Sequence, residues 1–309
     1  MKKIAFLLLF ASPLFAQTKS DLSGAANLFD IQFTTQELDT LYSDVVDNLA
    51  NYKAMHSLSL NNNVPLSLWQ NPKLPGMKFD QTQRLVVWPS VKATLPARKS
   101  DLAFYSIDQL AHLIKTKQIS SVELTQFFIE RIKTHGPTLQ CVISIQEDLA
   151  LAQARQADKE IAAGKYRGLL HGIPYGLKDL FAVKGTKTTW GAAPYKDQVI
   201  DEDAYVYAKL KESGAVLVAK FTLGALAMGD YWYGGRTKNP WNLNYGSSGS
   251  SAGSASATVA GLVPFAIGTE TWGSIVSPST TCGATGLRPT FGSISRSGAM
   301  ALSYSLALL

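Results

Sequence analysis

Residues 245–289 read YGSSGSSAGSASATVAGLVPFAIGTETWGSIVSPSTTCGATGLRP. Glycine and serine dominate the start, a composition shared with flexible linkers. The linker reading fails on the next residues. Ala255 to Ala260 is a small-residue run of helical character, and Leu262 to Ile267 is an apolar run of strand length. Gly268 to Ser274 then reads as a loop, followed by further serines and Pro278.

A glycine-rich loop set between regular elements lets backbone N–H groups approach a ligand closely. Phosphate is one such ligand, but neither G-x-x-x-x-G-K-S/T nor a clean G-x-G-x-x-G after a strand is present. The remaining use is an oxyanion hole, where backbone donors meet a developing negative oxygen. Serine in such a loop suits acyl transfer. No G-x-S-x-G surrounds Ser274, so the strand–turn–helix elbow of α/β-hydrolases does not fit.

Working upstream, strands and helices alternate from Asp101. Ser106 with Gln109 and Ser120 with Glu123 are capping boxes that open helices. Cys141 to Ile145 is a short β-type run, and Leu149 to Ala163 is helical and ended by Gly164. Ile173 to Leu177 is a strand, Asp203 to Ser213 a helix stopped by Gly214, and Ala215 to Ala219 a strand buried on both faces. This alternation predicts an α/β fold with a largely parallel or mixed sheet.

Residues 17–100 read as a separate region. Thr34 and Glu37 form a capping box before Leu38, Leu41, Val45, Leu49 and Tyr52 at helical spacing. A polar stretch dotted with Pro65, Pro72, Pro75, Pro89 and Pro96 comes next and reads as an extended linker. Residues 1–16 read as a secretory signal, with Lys2 and Lys3 before an apolar run and Ala16 at the cut. The expectation is export to the periplasm or medium, without stable membrane insertion.

Composition excludes several classes. Charged residues make up 17% and hydrophobic residues 46%, which is globular rather than disordered. The net charge of +6 is scattered, not gathered on one basic face, so nucleic acid is not an expected partner. Cys141 and Cys282 stand far apart in apolar or glycine-rich surroundings and read as buried thiols. His56, His112, His135 and His171 show no metal-ligand spacing.

The segment GSSAGSASATVAGLVPFAIGTETWGSIVSPS resembles the signature of the amidase signature family. That family combines a glycine- and serine-rich run, a T-D-x-G-G-S-I loop and an upstream G-I-P-x-x-x-K-D. Here the last is Gly172-Ile173-Pro174-Tyr175-Gly176-Leu177-Lys178-Asp179, and the likeness runs from about Asp101 to Leu306. The resemblance implies a Ser-Ser-Lys triad. Ser274 is the nucleophile and Lys178 the base. The bridging serine falls on Ser250, which lies 24 residues before Ser274 as in the family, with Ser247 the competing register. The oxyanion donors fall on the backbone N–H groups of Thr271, Trp272, Gly273 and Ser274. Glu270 stands where the family has aspartate, and Trp272 where it has glycine. A positive φ at 272 would strain tryptophan; otherwise its indole shapes the acyl pocket. Ser251, Ser254, Ser277, Ser279 and His171 are expected to be structural.

The chemistry demands such a set. A serine hydroxyl needs a base, and lysine serves only when neutral, with its pKa far below ~10.4. The resemblance implies hydrolysis of a linear carboxylic amide to a carboxylate plus ammonia or an amine, with a small-molecule amide as partner and no cofactor. Two alternatives stand beside it: the glutaminase subunit of a tRNA-dependent amidotransferase, which export disfavours, and a non-catalytic remnant of the fold. The likeness stops at Ser305-Leu306. On that reading residues 101–309 hold only the N-terminal part of the amidase signature fold, and the chain is inactive as it stands.

Overall fold

The computed structural model describes residues 18–58, 76–78, 80, 82 and 91–300. The expected signal at residues 1–16, most of the proline-dotted stretch and the last nine residues lie outside the described residues. The chain divides into two compact units, residues 1–71 and 72–309. Among the described residues no helix is long and apolar enough to cross a membrane.

The first unit is a pair of helices, α1 (Lys19–Leu28) and α2 (Thr35–His56). The capping box at Thr34 and Glu37 is present: Thr34 N–H donates to Glu37 Oε2 at 2.7 Å and Glu37 N–H to Thr34 Oγ1 at 3.3 Å. Helix α1 is an element the apolar periodicity does not reveal. Its sequence KSDLSGAANL is mostly small and polar, and its signal is a second capping box at Thr18 and Asp21.

The second unit is built on a sheet of order β1-β3-β2-β8. Its strands are β1 (Val142–Ile145), β2 (Pro174–Lys178), β3 (Val216–Phe221) and the two-residue β8 (Ala266–Ile267). Strand β2 runs parallel to β3 and to β8, and β1 is antiparallel to β3, so the sheet is mixed and mostly parallel. Short hairpins join β4 (Tyr231–Trp232) to β5 (Gly235–Arg236) and β6 (Lys238–Asn239) to β7 (Asn242–Gly246). The helices are α3 (Ile107–Lys115), α4 (Ser121–Leu139), α5 (Glu147–Ala162), α6 (Tyr205–Glu212), α7 (Ala252–Val259) and α8 (Val276–Cys282).

Alternation along β3 explains the layers. Val216 and Val218 pack with Ile129 and Ile132 of α4 and Ala257 of α7. Leu217 packs with Tyr175 and Leu177 of β2 and Tyr207 of α6. Successive strand residues face opposite sides, so the sheet carries helices on both faces. Every residue of β2 and β3 is buried, as the continuous apolar runs require. Two of those buried residues are lysines, Lys178 and Lys220.

Two elements differ from the sequence reading. The run Leu262 to Ile267 is a strand only at Ala266–Ile267, because Leu262 and Val263 instead turn back from α7 into the core. The serine-rich stretch after Ser274 is helix α8. Pro278 fits there because it occupies the first turn, where its missing N–H has no helical partner to lose. Gly283 ends α8 with φ +79, a conformation glycine adopts at no steric cost.

Candidate active site

Lys178 is the last residue of β2, and its amine-bearing end is wholly buried. Helix α7 begins beside it, with Ser251 as N-cap residue and Ser250 immediately before. Lys178 Nζ lies 2.8 Å from Ser250 Oγ, 2.8 Å from Thr269 Oγ1 and 3.2 Å from Ser251 Oγ. The chain reaches this spot by close backbone packing. A Cβ on Gly249 would stand 1.9 Å from the Gly229 carbonyl, and one on Gly253 2.4 Å from the Cys141 carbonyl. Only glycine lets the loop and the first turn of α7 sit so near the sheet.

The two candidate bridging serines are separated by this geometry. Ser250 touches Lys178, whereas the Ser247 hydroxyl donates to the Ser248 carbonyl at 2.9 Å. The Ser251 hydroxyl also touches Lys178, at 3.2 Å. It donates to the Thr269 carbonyl at 3.0 Å and accepts from Thr269 N–H at 3.1 Å. With its proton committed there, Ser251 can only accept from Lys178. Thr269, one residue before Glu270, is the threonine of the T-D-x-G-G-S-I match; the sequence assigns it no role, and the structure places it against Lys178.

Burial pushes the Lys178 amine well below the usual lysine range, although the Glu270 carboxylate opposes the shift. The 2.8 Å amine-to-hydroxyl contact is the geometry in which a neutral amine could take the Ser250 proton. The neighbouring Asp179 faces away. Its Oδ1 lies 2.8 Å from Lys220 Nζ, and its Oδ2 accepts from Thr189 N–H at 2.7 Å and Thr189 Oγ1 at 2.6 Å. The pairing of Lys178 with Asp179 that chain adjacency suggests does not occur.

Ser274 is half-buried at the end of the loop, and its carbonyl accepts from Ser251 N–H at 3.0 Å. Among the described residues its hydroxyl makes no hydrogen bond to Ser250, so the structure joins Lys178 to Ser250 but leaves the last link of the relay open. The backbone N–H groups of Thr271, Trp272 and Ser274 likewise have no protein acceptor among the described residues, while Gly273 N–H helps to hold the Glu270 carboxyl. Trp272 has no positive φ; the left-handed residue of the loop is Gly273, at φ +91. Trp272 is 95% exposed. His171 is structural: it is buried, its Nδ1 accepts from Arg167 N–H at 3.1 Å, and its Nε2 lies 3.3 Å from Glu160.

The chain is similar to several known proteins. The family model described as Amidase matches residues 123–308. A glutamyl-tRNA(Gln) amidotransferase subunit of Coxiella burnetii (strain RSA 493 / Nine Mile phase I) is 46% identical over 204 residues, which is 65% of this chain and 42% of that protein. The native peptide amidase of Stenotrophomonas maltophilia is similar in structure, with TM-score 0.61 and 37% identity over 65% of this chain and 43% of that one. An amidase family protein of Bacillus anthracis str. Ames gives TM-score 0.64 and 33% identity over 67% and 43%. The chain thus spans about two fifths of the length of these relatives. With the family match extending over more than half of the residues and the signature residues gathered around Lys178, the chain belongs to the amidase signature family.

Proposed function

We propose that this chain is a serine-dependent amidase acting on a linear carboxylic amide. The observation that carries the reading is the buried 2.8 Å contact between Lys178 Nζ and Ser250 Oγ. Neutral Lys178 takes the Ser250 proton as Ser250 takes that of Ser274. Ser274 Oγ then bonds to the amide carbon, and the oxyanion meets the N–H groups of Thr271, Trp272 and Ser274 that have no protein acceptor among the described residues. Collapse breaks the C–N bond, and the relay returns its proton to the leaving amine. Water repeats the sequence on the acyl-enzyme and releases the carboxylate. The test is treatment with a fluorophosphonate followed by mass spectrometry: adduct on Ser274 supports the reading, and an unmodified Ser274 sinks it.

A second reading has a specific observation behind it. The amidotransferase relative is more similar in sequence, at 46% identity, than the peptide amidase, at 37%. On that reading the amide is glutamine, and ammonia release depends on partner subunits. The signal-like start at residues 1–16 favours the exported amidase over this alternative. We assign the protein to the periplasm or medium. Recovery in the cytoplasmic fraction, with glutamine hydrolysis appearing only alongside partner subunits, would select the second reading.

A further inference from the structure

Glu270 is a buried acid that the proton relay does not use. Its Oε2 accepts from the backbone N–H of Ile275 at 2.8 Å and of Val276 at 2.9 Å. Its Oε1 accepts from Arg288 Nη1 at 2.9 Å. Burial pushes this carboxyl up, but the N–H groups of Val276, Ile275 and Gly273, with Arg288, outweigh burial and hold it below the usual range. The carboxylate therefore closes a ring across residues 270–276, and Ser274 lies inside that ring.

The loop has few other restraints. Ser277 N–H holds the Gly273 carbonyl at 2.7 Å, and Ser251 N–H holds the Ser274 carbonyl at 3.0 Å. Both fix carbonyls. Among the described residues Glu270 alone gathers the N–H side of the loop, and a side chain held this way sets where the remaining N–H groups point. We infer that Glu270, braced by Arg288, is a positioning residue that aims the Ser274 hydroxyl and the loop donors. It touches neither substrate nor reacting atoms. The inference rests on Ser274 being the nucleophile of the proposed relay.

The same carboxylate is the charged group whose field reaches Lys178. Asp179 and Lys220 pair with each other on the other side of the strand, and α7 carries no charged residue. A merely structural Glu270 would leave the pH dependence of Ser274 untouched. A positioning Glu270 whose charge also acts on Lys178 would not.

The experiment measures two things on the full chain and on Glu270→Ala, Glu270→Gln, Arg288→Met and Arg288→Lys. Hydrogen exchange reads the amides of Ile275 and Val276. Fluorophosphonate labelling of Ser274 is timed across pH. We expect Glu270→Ala to strip protection from both amides and slow labelling by at least about tenfold, with the ~10²–10³-fold attributed to losing an oxyanion donor as the upper bound. Glu270→Gln, which keeps an acceptor, should lose less and move the acid limb of labelling to lower pH. Arg288→Lys should retain more than Arg288→Met. Unchanged amide protection in Glu270→Ala and Glu270→Gln overturns the inference. So does lost protection with unchanged labelling and pH dependence. If wild-type Ser274 takes no label at any pH, the nucleophile assignment fails and takes the positioning role with it. A labelled wild type with indifferent variants removes the positioning role alone.

Discussion

Lys178 and Asp179 are adjacent in the chain, yet their side chains belong to separate buried networks. Lys178 Nζ lies 2.8 Å from Ser250 Oγ, and the Asp179 carboxylate lies 2.8 Å from Lys220 Nζ. Strand alternation turns what looks like a neutralised pair into a base without a bound counter-ion.

The relay ranks the serines. Ser274→Ala should abolish turnover and labelling. Ser250→Ala should cost ~10²–10⁴-fold, the range for a positioned acid–base group, and Ser247→Ala little. Turnover of a simple amide and Ser274 labelling check the order. Greater damage from Ser247→Ala would move the relay to the other register.

Lys178 also leaves a mark on stability. Its folded pKa is depressed below 10.5 by burial, so between the folded and unfolded values the unfolded chain binds more protons. Stability should rise as pH rises through the folded pKa and level off near the unfolded one. Urea midpoints measured against pH should show this rise in wild type and lack it in Lys178→Met. Lys178→Arg should be inactive, since arginine stays protonated at usable pH.

The second buried lysine answers to a different test. Lys220→Met strands the Asp179 carboxylate with Thr189 as its remaining protein donor, and should cost about 3–5 kcal/mol. The double variant Asp179→Asn/Lys220→Met should recover part of that loss. Equilibrium unfolding in urea measures both. A loss in the single variant below about 1 kcal/mol would show that the pair is not a buried charge network.

Both cysteines should be inert in the folded protein. Burial pushes Cys141 up to about 12. Burial, then the nearby Asp230 charge, pushes Cys282 up to about 11. Iodoacetamide at mildly alkaline pH should alkylate neither until urea unfolds the chain, as read by intact mass. Rapid native modification at either position would contradict the packing around it.

The sequence carries the strands and the base clearly. Runs such as Ile173 to Leu177 and Ala215 to Ala219 are apolar because both faces of β2 and β3 are covered. Lys178 and Ser250 are legible because fixed motifs surround them. Ser251 and Thr269 lie inside the same motifs, but their roles are not legible there, because those roles come from mutual hydrogen bonds across 18 residues. Arg288 is hidden for the same reason, at the same separation from Glu270. Helix α8 escapes periodicity because VSPSTTC has few apolar residues to repeat. The two-residue β8 is shorter than its apolar run because Leu262 and Val263 serve the core below α7. Trp272 could be flagged as unusual but not oriented, since an exposed side chain leaves no trace in the pattern.

The contacts that make the site have a kinetic consequence. Lys178 meets Ser250 across 72 residues and Thr269 across 91. Closing such loops costs chain entropy before any contact repays it, so structure of this kind forms slowly. Helices α4 and α5, near neighbours in sequence, can pair much earlier. After dilution from urea, far-ultraviolet circular dichroism should recover first, with reactivity at Ser274 returning in a later phase. During that interval the molecule would be largely helical and chemically silent.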